Sequence, residues 1–204
     1  MVMFPKFYPD PEKLAMSYLN KSGKKMAIYK PKKYEYCPLC SSRLIQLSID
    51  GKDYQACPEV KSCGWVHWGH TPIVSAVIVL DPENNEKVLL VKRKHNPFKG
   101  LWSLPAGFAE YGELPKDAAI RELKEEVNLS AGKLMMVDQY LESSNPKTFS
   151  ILNIFAADHV SGKISVADDV EDTAYFHWKA LPEMAFKSQV LALKDFFSRT
   201  VLTN

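Results

Sequence analysis

Apolar residues along this chain gather into short runs of strand length. The run Ile73–Leu80 consists almost entirely of Val, Ile, Ala and Leu, which predicts a buried strand. The turn-forming residues 81–85 separate it from a second predicted strand at Val88–Val91. Two further strands are predicted at Ser150–Ala157 and Tyr175–Trp178.

Two other segments carry apolar residues at helical spacing. Ala119, Leu123 and Val127 recur at every fourth position, which predicts a helix over Leu114–Val127 with one apolar stripe. The same kind of spacing predicts a second amphipathic helix over Lys187–Arg199. Helices and strands therefore alternate in this half of the chain, as they do in α/β domains.

The chain is predicted to have three segments. Residues 71–204 form the α/β domain, and residues 37–70 form a small domain that holds every cysteine. Residues 1–36 are an N-terminal extension, with a short helix expected at Pro11–Leu19 and a basic connector at Lys24–Lys33. A length of 204 residues suits one catalytic domain with a small appendage.

Charge and hydropathy narrow the classes of partner. The 26 basic and 24 acidic residues give a net charge of +2, without the basic excess of a nucleic-acid-binding arm, so nucleic acid is not expected as a partner. No apolar run reaches the roughly 20 residues that span a bilayer, and no signal-peptide core is present. We therefore expect no membrane association and a cytoplasmic location. The sequence is also compatible with a homodimer.

The four cysteines form two close pairs. Two residues separate Cys37 from Cys40, and five separate Cys57 from Cys63. In a reducing compartment such clustering favours a metal over disulfides, and the first pair has the spacing of a zinc knuckle. The sequence therefore predicts one zinc ion bound by the four thiolates.

The segment between the cysteine pairs is predicted to be a β-hairpin with its turn at Asp50-Gly51, which completes a zinc ribbon. Because the second pair is widely spaced, His67 or His70 remains an alternative to one sulfur ligand. A closed four-thiolate site leaves no coordination position for substrate, so its predicted role is to stabilise the fold. Contact of this ribbon with nucleic acid is the alternative.

Three glutamates in the first predicted helix indicate a second, different metal site. Glu122, Glu125 and Glu126 stand at i, i+3 and i+4, so their carboxylates share one stripe. Like charges at that spacing destabilise a helix by about 0.2–0.5 kcal/mol per pair, and the helix C-terminus disfavours anions. A bound cation would remove both penalties, and oxygen ligands of this kind suit magnesium or manganese. A solvated acidic face is the alternative.

A 23-residue stretch around this helix resembles the Nudix box, G-x5-E-x7-R-E-U-x-E-E-x-G-U, in which U is aliphatic. Eight of its nine specified positions match, namely Gly107, Glu113, Arg121, Glu122, Leu123, Glu125, Glu126 and Leu129. The departure is Asn128 in place of Gly, and Asn tolerates the left-handed conformation of a helix C-cap. The resemblance implies a Nudix hydrolase with an α/β/α sandwich and a mixed sheet.

The resemblance also implies catalytic roles for particular residues. Glu122, Glu125 and Glu126 would bind magnesium or manganese, with the carbonyl of Ala106 as a further ligand. The bound metal would lower the pKa of the water that attacks a phosphorus of the pyrophosphate.

Glu113 and Arg121 would form an ion pair that orients Glu122. A late loop often adds one more carboxylate in this family, and among residues 168–172 we favour Glu171. Arg93 and Lys94 follow a strand and are candidates for phosphate contact, although an exposed basic strand end is equally consistent with them. The alternative to a catalytic role for residues 168–172 is an acidic turn that is simply exposed to solvent.

The substrate is expected to be a compound linked to a nucleoside diphosphate. A zinc ribbon ahead of a Nudix domain resembles the NADH pyrophosphatase branch. However, residues 140–150 lack the aromatic-proline motif of the NADH-specific members. Pro146 lies near the position at which ADP-ribose hydrolases have a proline. Cleavage of ADP-ribose, NADH or FAD to AMP and a second phosphate ester is the expected reaction. A non-catalytic nucleotide sensor and an RNA cap hydrolase are the alternatives.

An adenine base would need an aromatic or apolar wall, for which stacking is worth about 1–3 kcal/mol per base. The candidates for this wall are Phe98, Trp102 and Phe108. The alternative for each is packing in the hydrophobic core, and for Trp102 that alternative is favoured.

Overall fold

The computed structural model describes residues 34–59, 62–69, 71–143 and 149–201. The expected helix at Pro11–Leu19 and the connector at Lys24–Lys33 lie outside the described residues, as do His70 and Pro146. The chain divides into two compact units, and the division falls between Thr71 and Pro72.

The first unit contains a three-stranded antiparallel sheet. Its strands are β1 (Ile45–Ile49), β2 (Lys52–Ala56) and β3 (Val66–His67), in the order β1-β2-β3. Asp50 and Gly51 both have positive φ, at 51° and 76°, which is the conformation of a type I′ hairpin turn. The predicted hairpin and the position of its turn are therefore confirmed.

The second unit is an α/β domain. Its elements are β4 (Ile73–Ile78), β5 (Lys87–Arg93), β6 (Trp102–Ser103), β7 (Ala106–Phe108), α1 (Pro115–Val127), β8 (Ser130–Glu142), β9 (Ser150–Ser161), β10 (Val170–His177) and α2 (Lys187–Val201). One sheet has the order β7-β4-β9-β8, and the other has the order β10-β5-β6. Strands β4 and β9 are parallel and the other pairings are antiparallel, so the sheet is mixed as expected.

The two helices cover two different hydrophobic clusters. Alternate residues of β4 enter them: Ala76 and Ile78 belong to the cluster that contains Leu193 of α2. Val77 belongs to the cluster that contains Leu123 of α1. Because successive side chains of a strand point to opposite faces, the sheet lies between α1 and α2, in an α/β/α sandwich.

Helix α1 is bounded by residues suited to its ends. Pro115 begins it, where the missing N–H has no intrahelical partner in any case. Asn128 ends it in the left-handed conformation, with φ 57° and ψ 27°, and its N–H points at the carbonyls of Leu123 and Lys124. The substitution of Asn for Gly is therefore accommodated by the backbone, as predicted.

Strand β10 is longer than the sequence indicates, because it begins at Val170 and not at Tyr175. Acidic residues are depleted in strands, so the segment 168–172 is predicted to be a loop. Pairing with β5 overrides that preference, since Val170 lies opposite Arg93 and Asp172 opposite Lys92. The register shifts at Glu171, which occupies a bulge between these pairs.

Candidate active site

Helix α1 brings the carboxylate of Glu122 directly over Gly107 of β7. A Cβ atom at Gly107 would overlap the carboxylate carbon and both carboxylate oxygens of Glu122. Gly107 has an ordinary negative φ, so close approach and not backbone conformation requires glycine here. The absence of a side chain at this position lets the carboxylate pass over the edge of the sheet.

Glu126, one turn further along α1, is almost completely buried. The residue is 8 % exposed, and its Oε2 accepts a 2.9 Å hydrogen bond from the backbone N–H of Ala106. Burial raises the pKa of Glu126 to about 8, and the nearby carboxylates of Glu122 and Asp169 act in the same direction. Burial likewise raises the pKa of Glu122. Such a pair of acids favours a compensating positive charge.

Arg121 connects four acceptors around this pair. Its guanidinium donates to both carboxylate oxygens of Glu113 at 3.0 Å. The same group donates to Glu122 at 2.7 Å, to Glu125 at 2.9 Å and to the carbonyl of Phe108 at 2.9 Å. Arg121 thus fixes the loop after β7 against the helix, and it limits the rotation of the Glu122 carboxylate.

Glu125 has a more open environment than the other two glutamates. Its side chain is 59 % exposed and contacts Arg121, and it is not among the residues that line the neighbouring cavity. Glu122 and Glu126 do line that cavity. The stripe of three carboxylates predicted from the spacing therefore has two members at the cavity and one at its outer edge.

The cavity has a volume of about 530 Å³ and lies beside α1 and β7. Pockets of this size accommodate small-molecule ligands. One end is formed by Arg93, Ala106, Glu122, Glu126 and Asp169, and so combines carboxylates with a guanidinium.

Arg93 is fixed on the cavity wall by two contacts. Its Nε donates to the carbonyl of Pro97 at 3.0 Å, and its guanidinium carbon lies 5.3 Å from the centroid of the Phe186 ring. Burial lowers the pKa of Arg93, while the charges of Glu126 and Asp169 oppose that shift. A guanidinium has five N–H donors, so this one has further donors for an anionic ligand.

Aromatic side chains form another part of the wall. Phe98 and Phe186 line the cavity, with their rings 5.5 Å apart in an edge-to-face arrangement. Phe108 also lines it and is 62 % exposed. Trp102 does not line the cavity, because its ring packs against Phe176 in the core at 4.7 Å. Phe186 is a cavity residue that the sequence does not predict.

The late acidic segment places one carboxylate at the cavity, and it is Asp169. Asp169 lines the cavity, and its carbonyl accepts a hydrogen bond from the N–H of Lys94. Glu171, which the sequence favours, is directed to Lys92 instead, at 2.6 Å, and is not part of the lining. Its hydrogen bond to Lys92 holds the pKa of Glu171 below its usual value. The bulge at Glu171 accounts for this difference in direction.

In the first unit, the side chains of the four cysteines lie close together. The Sγ atoms of Cys37, Cys40, Cys57 and Cys63 all lie within 4.8 Å of one another. Two of the separations are 3.6 Å (Cys37 to Cys63) and 3.4 Å (Cys40 to Cys57). Zinc–sulfur bonds of about 2.3 Å in a tetrahedron place sulfurs about 3.8 Å apart, so this quartet fits a zinc ion.

His67 is not part of the cysteine quartet. Its ring is stacked 6.0 Å from Trp65 and lies 4.9 Å from the ring of Tyr34. Over the described residues, the quartet is also the only group of three or more His, Cys, Asp or Glu side chains whose ligand atoms lie this close together. The cavity carboxylates are more widely spaced than the thiolates.

With this geometry established, comparison with known proteins identifies the family. A family model described as the NUDIX domain matches residues 69–198. The chain belongs to the NUDIX family. It is a hydrolase of the Nudix pyrophosphatase type, and the predicted resemblance is confirmed.

Relatives within the Nudix family carry two kinds of name. An ADP-ribose pyrophosphatase of Methanocaldococcus jannaschii is 36 % identical over 115 residues, which are 56 % of this chain and 68 % of the relative. The NAD-capped RNA hydrolase NudC of Pseudomonas aeruginosa is 29 % identical over 151 residues, covering 73 % of this chain and 50 % of the relative. The chain thus spans about half the length of NudC.

Solved Nudix structures share the fold. A NUDIX hydrolase from Nitrosomonas europaea superposes with a TM-score of 0.58 at 25 % identity, over 79 % of this chain and 89 % of that one. In the described part of the Nudix chain, no helix is long and apolar enough to cross a membrane.

Proposed function

We propose that the protein hydrolyses the pyrophosphate bond of a compound linked to a nucleoside diphosphate, of the ADP-ribose, NADH or FAD type, to AMP and a second phosphate ester. The observation that carries this proposal is the cavity that holds one buried carboxylate (Glu126), one half-buried carboxylate (Glu122) and a fixed guanidinium at one end. A carboxylate pair suits divalent cations, and a guanidinium suits phosphate oxygens.

Magnesium or manganese would be held by Glu122 and Glu126, with Glu125 joining from the outer edge. The chemistry of the donors fits such an ion, because burial and repulsion by neighbouring carboxylates raise the pKa values of both inner carboxyls, and a cation relieves both effects. When bound, the metal lowers the pKa of water and neutralises charge on the phosphate oxygens. The carbonyl of Ala106 remains a proposed further ligand, beside the N–H that Glu126 engages.

The chain itself contributes orientation and charge. Arg121, held by Glu113, restrains Glu122 at its place over Gly107. Arg93 would donate to the non-bridging phosphate oxygens, since its position is set by Pro97 and Phe186.

Asp169 takes the role that the sequence assigns to Glu171, because Asp169 is the carboxylate of that segment that lines the cavity. It would accept a proton from the attacking water or orient that water.

The substrate class follows from the relatives and from the wall of the cavity. An ADP-ribose pyrophosphatase is among the relatives, at 36 % identity. Phe98, Phe108 and Phe186 provide the aromatic surface that a nucleobase requires. Trp102 does not contribute to this surface, because its ring packs against Phe176 in the core.

A product assay tests the proposal. Purified protein is incubated with ADP-ribose, NADH, FAD and nucleoside triphosphates, each with magnesium or manganese, and AMP release is followed. Hydrolysis in ¹⁸O-labelled water identifies the attacked phosphorus, because the label enters only the product formed from that phosphate. Release of AMP from the dinucleotides and ADP-ribose supports the proposal, whereas turnover of triphosphates alone would contradict it.

A second candidate is hydrolysis of NAD-capped RNA, for which the relationship to NudC is the specific observation. The expectation that nucleic acid is not a partner therefore stays a prediction. The same panel, extended by a short NAD-capped RNA and its triphosphate-capped counterpart, separates the two substrates by their kcat/KM values.

We also propose that the cysteine quartet binds one structural zinc ion. The sulfur separations carry this proposal. A cytoplasmic location and a homodimer stay predictions.

A further inference from the structure

Gln189 is a buried polar residue on the apolar face of α2. Ala192, Leu193 and Phe196 follow it at three, four and seven positions, and all three belong to the hydrophobic cluster that this helix covers. Gln189 itself is 1 % exposed and lines the cavity. A carboxamide in such surroundings costs free energy unless its polar atoms find partners.

One half of the Gln189 carboxamide has its partner within the protein. Its Oε1 accepts a 2.8 Å hydrogen bond from the backbone N–H of Leu104, which is completely buried. Because only the oxygen of a carboxamide can accept a hydrogen bond, this contact also distinguishes the oxygen from the nitrogen. The side chain is thus held in one orientation by the segment between β6 and β7.

The other half, the Nε2 amide group, has no hydrogen-bond acceptor among the described residues. Within the same part of the chain, Ser75 Oγ is the only fully enclosed side-chain nitrogen or oxygen that lacks a partner. The nitrogen of Gln189 is therefore not enclosed, and the open space that Gln189 borders is the cavity. A donor group with two N–H bonds, fixed through its oxygen, thus faces the ligand.

Gln189 and Glu126 hold the same short stretch of backbone. Gln189 accepts from the N–H of Leu104, and Glu126 accepts from the N–H of Ala106, two residues later. The two backbone nitrogens are at most about 7 Å apart, because an extended chain advances by no more than about 3.3–3.6 Å per residue. One nucleotide can therefore place its phosphate at the carboxylate end and its base at Gln189.

The surroundings of Gln189 suit a base better than a phosphate. Val74 and Leu152 form the floor of the cavity on the face of the sheet that α2 covers, and Phe186 lies on the wall just before the helix. A phosphate on these apolar groups would lose hydration without a compensating charge, which Arg93 supplies only at the other end. A flat ring can instead stack on them.

We propose that Gln189 is a specificity-determining residue whose amide group donates a hydrogen bond to a ring nitrogen of adenine. This inference rests on the proposed function, which places an adenine nucleotide in the cavity. Adenine has no carbonyl, so its ring nitrogens are its acceptors, whereas its exocyclic amino group donates. A carboxamide whose oxygen is already bonded to Leu104 presents its donors, and a ring nitrogen matches them.

Three analogues of AMP test the inference without requiring turnover. The 1-deaza, 3-deaza and 7-deaza forms of AMP each replace one ring nitrogen by a C–H group. Calorimetry on the full chain with magnesium is expected to give one of them a Kd about three- to tenfold above that of AMP, as for the loss of one hydrogen bond. Wild-type protein that binds all three as tightly as AMP, or that does not bind AMP, would overturn the inference even if no variant folds.

The variant Gln189→Met then assigns the effect to the residue. Methionine is also unbranched and flexible, but it has no amide donor. The penalty for the weak-binding deaza form is expected to fall to about twofold or less, because the hydrogen bond is already absent. Gln139→Met is the matched control, since the Gln139 amide bonds to Asn153 and Gln139 does not line the cavity. It should retain the wild-type ratio of Kd values.

A purely structural role for Gln189 makes a different prediction. Its replacement leaves the buried N–H of Leu104 unpaired, so Gln189→Met lowers Tm in either case. A lower Tm with an unchanged ratio of deaza-AMP to AMP Kd would contradict the recognition role. With ADP-ribose as substrate, the variant should raise KM and preserve kcat.

The binding data and the turnover data separate this inference from the proposed function. If wild-type protein shows a deaza penalty that Gln189→Met removes, but hydrolyses none of the nucleotides, the proposed function fails while the role of Gln189 stands. Hydrolysis of ADP-ribose without any deaza penalty would overturn the role of Gln189 alone.

Discussion

The carboxylate of Glu122 occupies the volume in which a side chain at Gly107 would lie. This relationship brings the first residue of the Nudix motif into contact with a glutamate of its helix. The glycine comes from an edge strand and the glutamate from the middle of α1. A side chain at residue 107 therefore requires the Glu122 carboxylate to move.

Gly107→Ala is therefore expected to displace Glu122 and to lower kcat by roughly 100-fold, because small displacements at a reacting centre have effects of that order. Gly107 has negative φ, so alanine adds no backbone strain there. The double variant Gly107→Ala with Glu122→Ala should lose little more than Glu122→Ala alone. Additive losses in kcat would show that the two residues act separately.

Glu126→Gln is expected to lower kcat by roughly 100-fold or more, because a catalytic metal supplies several kcal/mol and about 1.4 kcal/mol corresponds to a factor of ten. Folding should be retained. Burial raises the pKa of Glu126 to about 8 in the folded protein. Because the carboxyl ionises at lower pH in the unfolded chain, the metal-free protein loses stability as the pH rises from the unfolded-state pKa of Glu126 to its folded-state pKa. Glutamine removes that cost, and metal-free Tm at pH 7 should not fall.

The measurement for this variant is Tm with and without manganese, together with kcat. Wild-type protein should show an increase in Tm with manganese, and Glu126→Gln should show a much smaller one. Turnover at the wild-type rate would refute the role of Glu126 in metal binding. Glu110→Gln is a control, since Glu110 borders the cavity but is outside the carboxylate stripe of α1.

Two carboxylates of the late acidic segment are distinguished by a pair of substitutions. Asp169→Asn is expected to lower kcat by about tenfold or more, as is usual for a group that moves a proton. Glu171→Gln should leave kcat within about twofold, because Glu171 forms an exposed pair with Lys92, and such pairs contribute little. A large loss of kcat in Glu171→Gln, together with near-wild-type kcat in Asp169→Asn, would assign the catalytic role to Glu171.

Zinc in the first unit is tested by elemental analysis of protein purified without added metal. About one zinc per chain is expected from a four-thiolate tetrahedral site. Cys63→Ser should reduce the zinc content and loosen the first unit, because structural zinc supplies folding free energy. Hydrogen exchange would detect that loosening in β1 and β2. A protein without zinc, or with a disulfide between Cys37 and Cys57, would contradict the assignment.

Local patterns predicted the parts of the molecule that depend on neighbours in sequence. The hairpin follows from Asp50-Gly51, and the end of α1 follows from the tolerance of Asn128 for positive φ. The like-charge penalty inferred for the helix is real, but Arg121 already offsets part of it through Glu122 and Glu125. The motif predicts the pairing of Arg121 with Glu113, but it does not predict the bonds of Arg121 to Glu125 and to the carbonyl of Phe108.

Parts of the cavity that come from distant segments could not be predicted in the same way. Phe98 and Phe186 are 88 positions apart, yet their rings are in contact. The choice between Asp169 and Glu171 depends on a bulge, which a composition of acidic residues does not reveal. Glu142 ends a strand and carries no motif, so its place at the cavity depends on the pairing of β8 with β9.

The floor of the cavity is hydrogen-bonded across four strands, and such a floor does not stretch. Side chains on that floor can therefore be exchanged without altering the spacing of the strands beneath them. A lineage with this scaffold can change which ligand the cavity admits while the edge of β7 and the carboxylates of α1 keep their places.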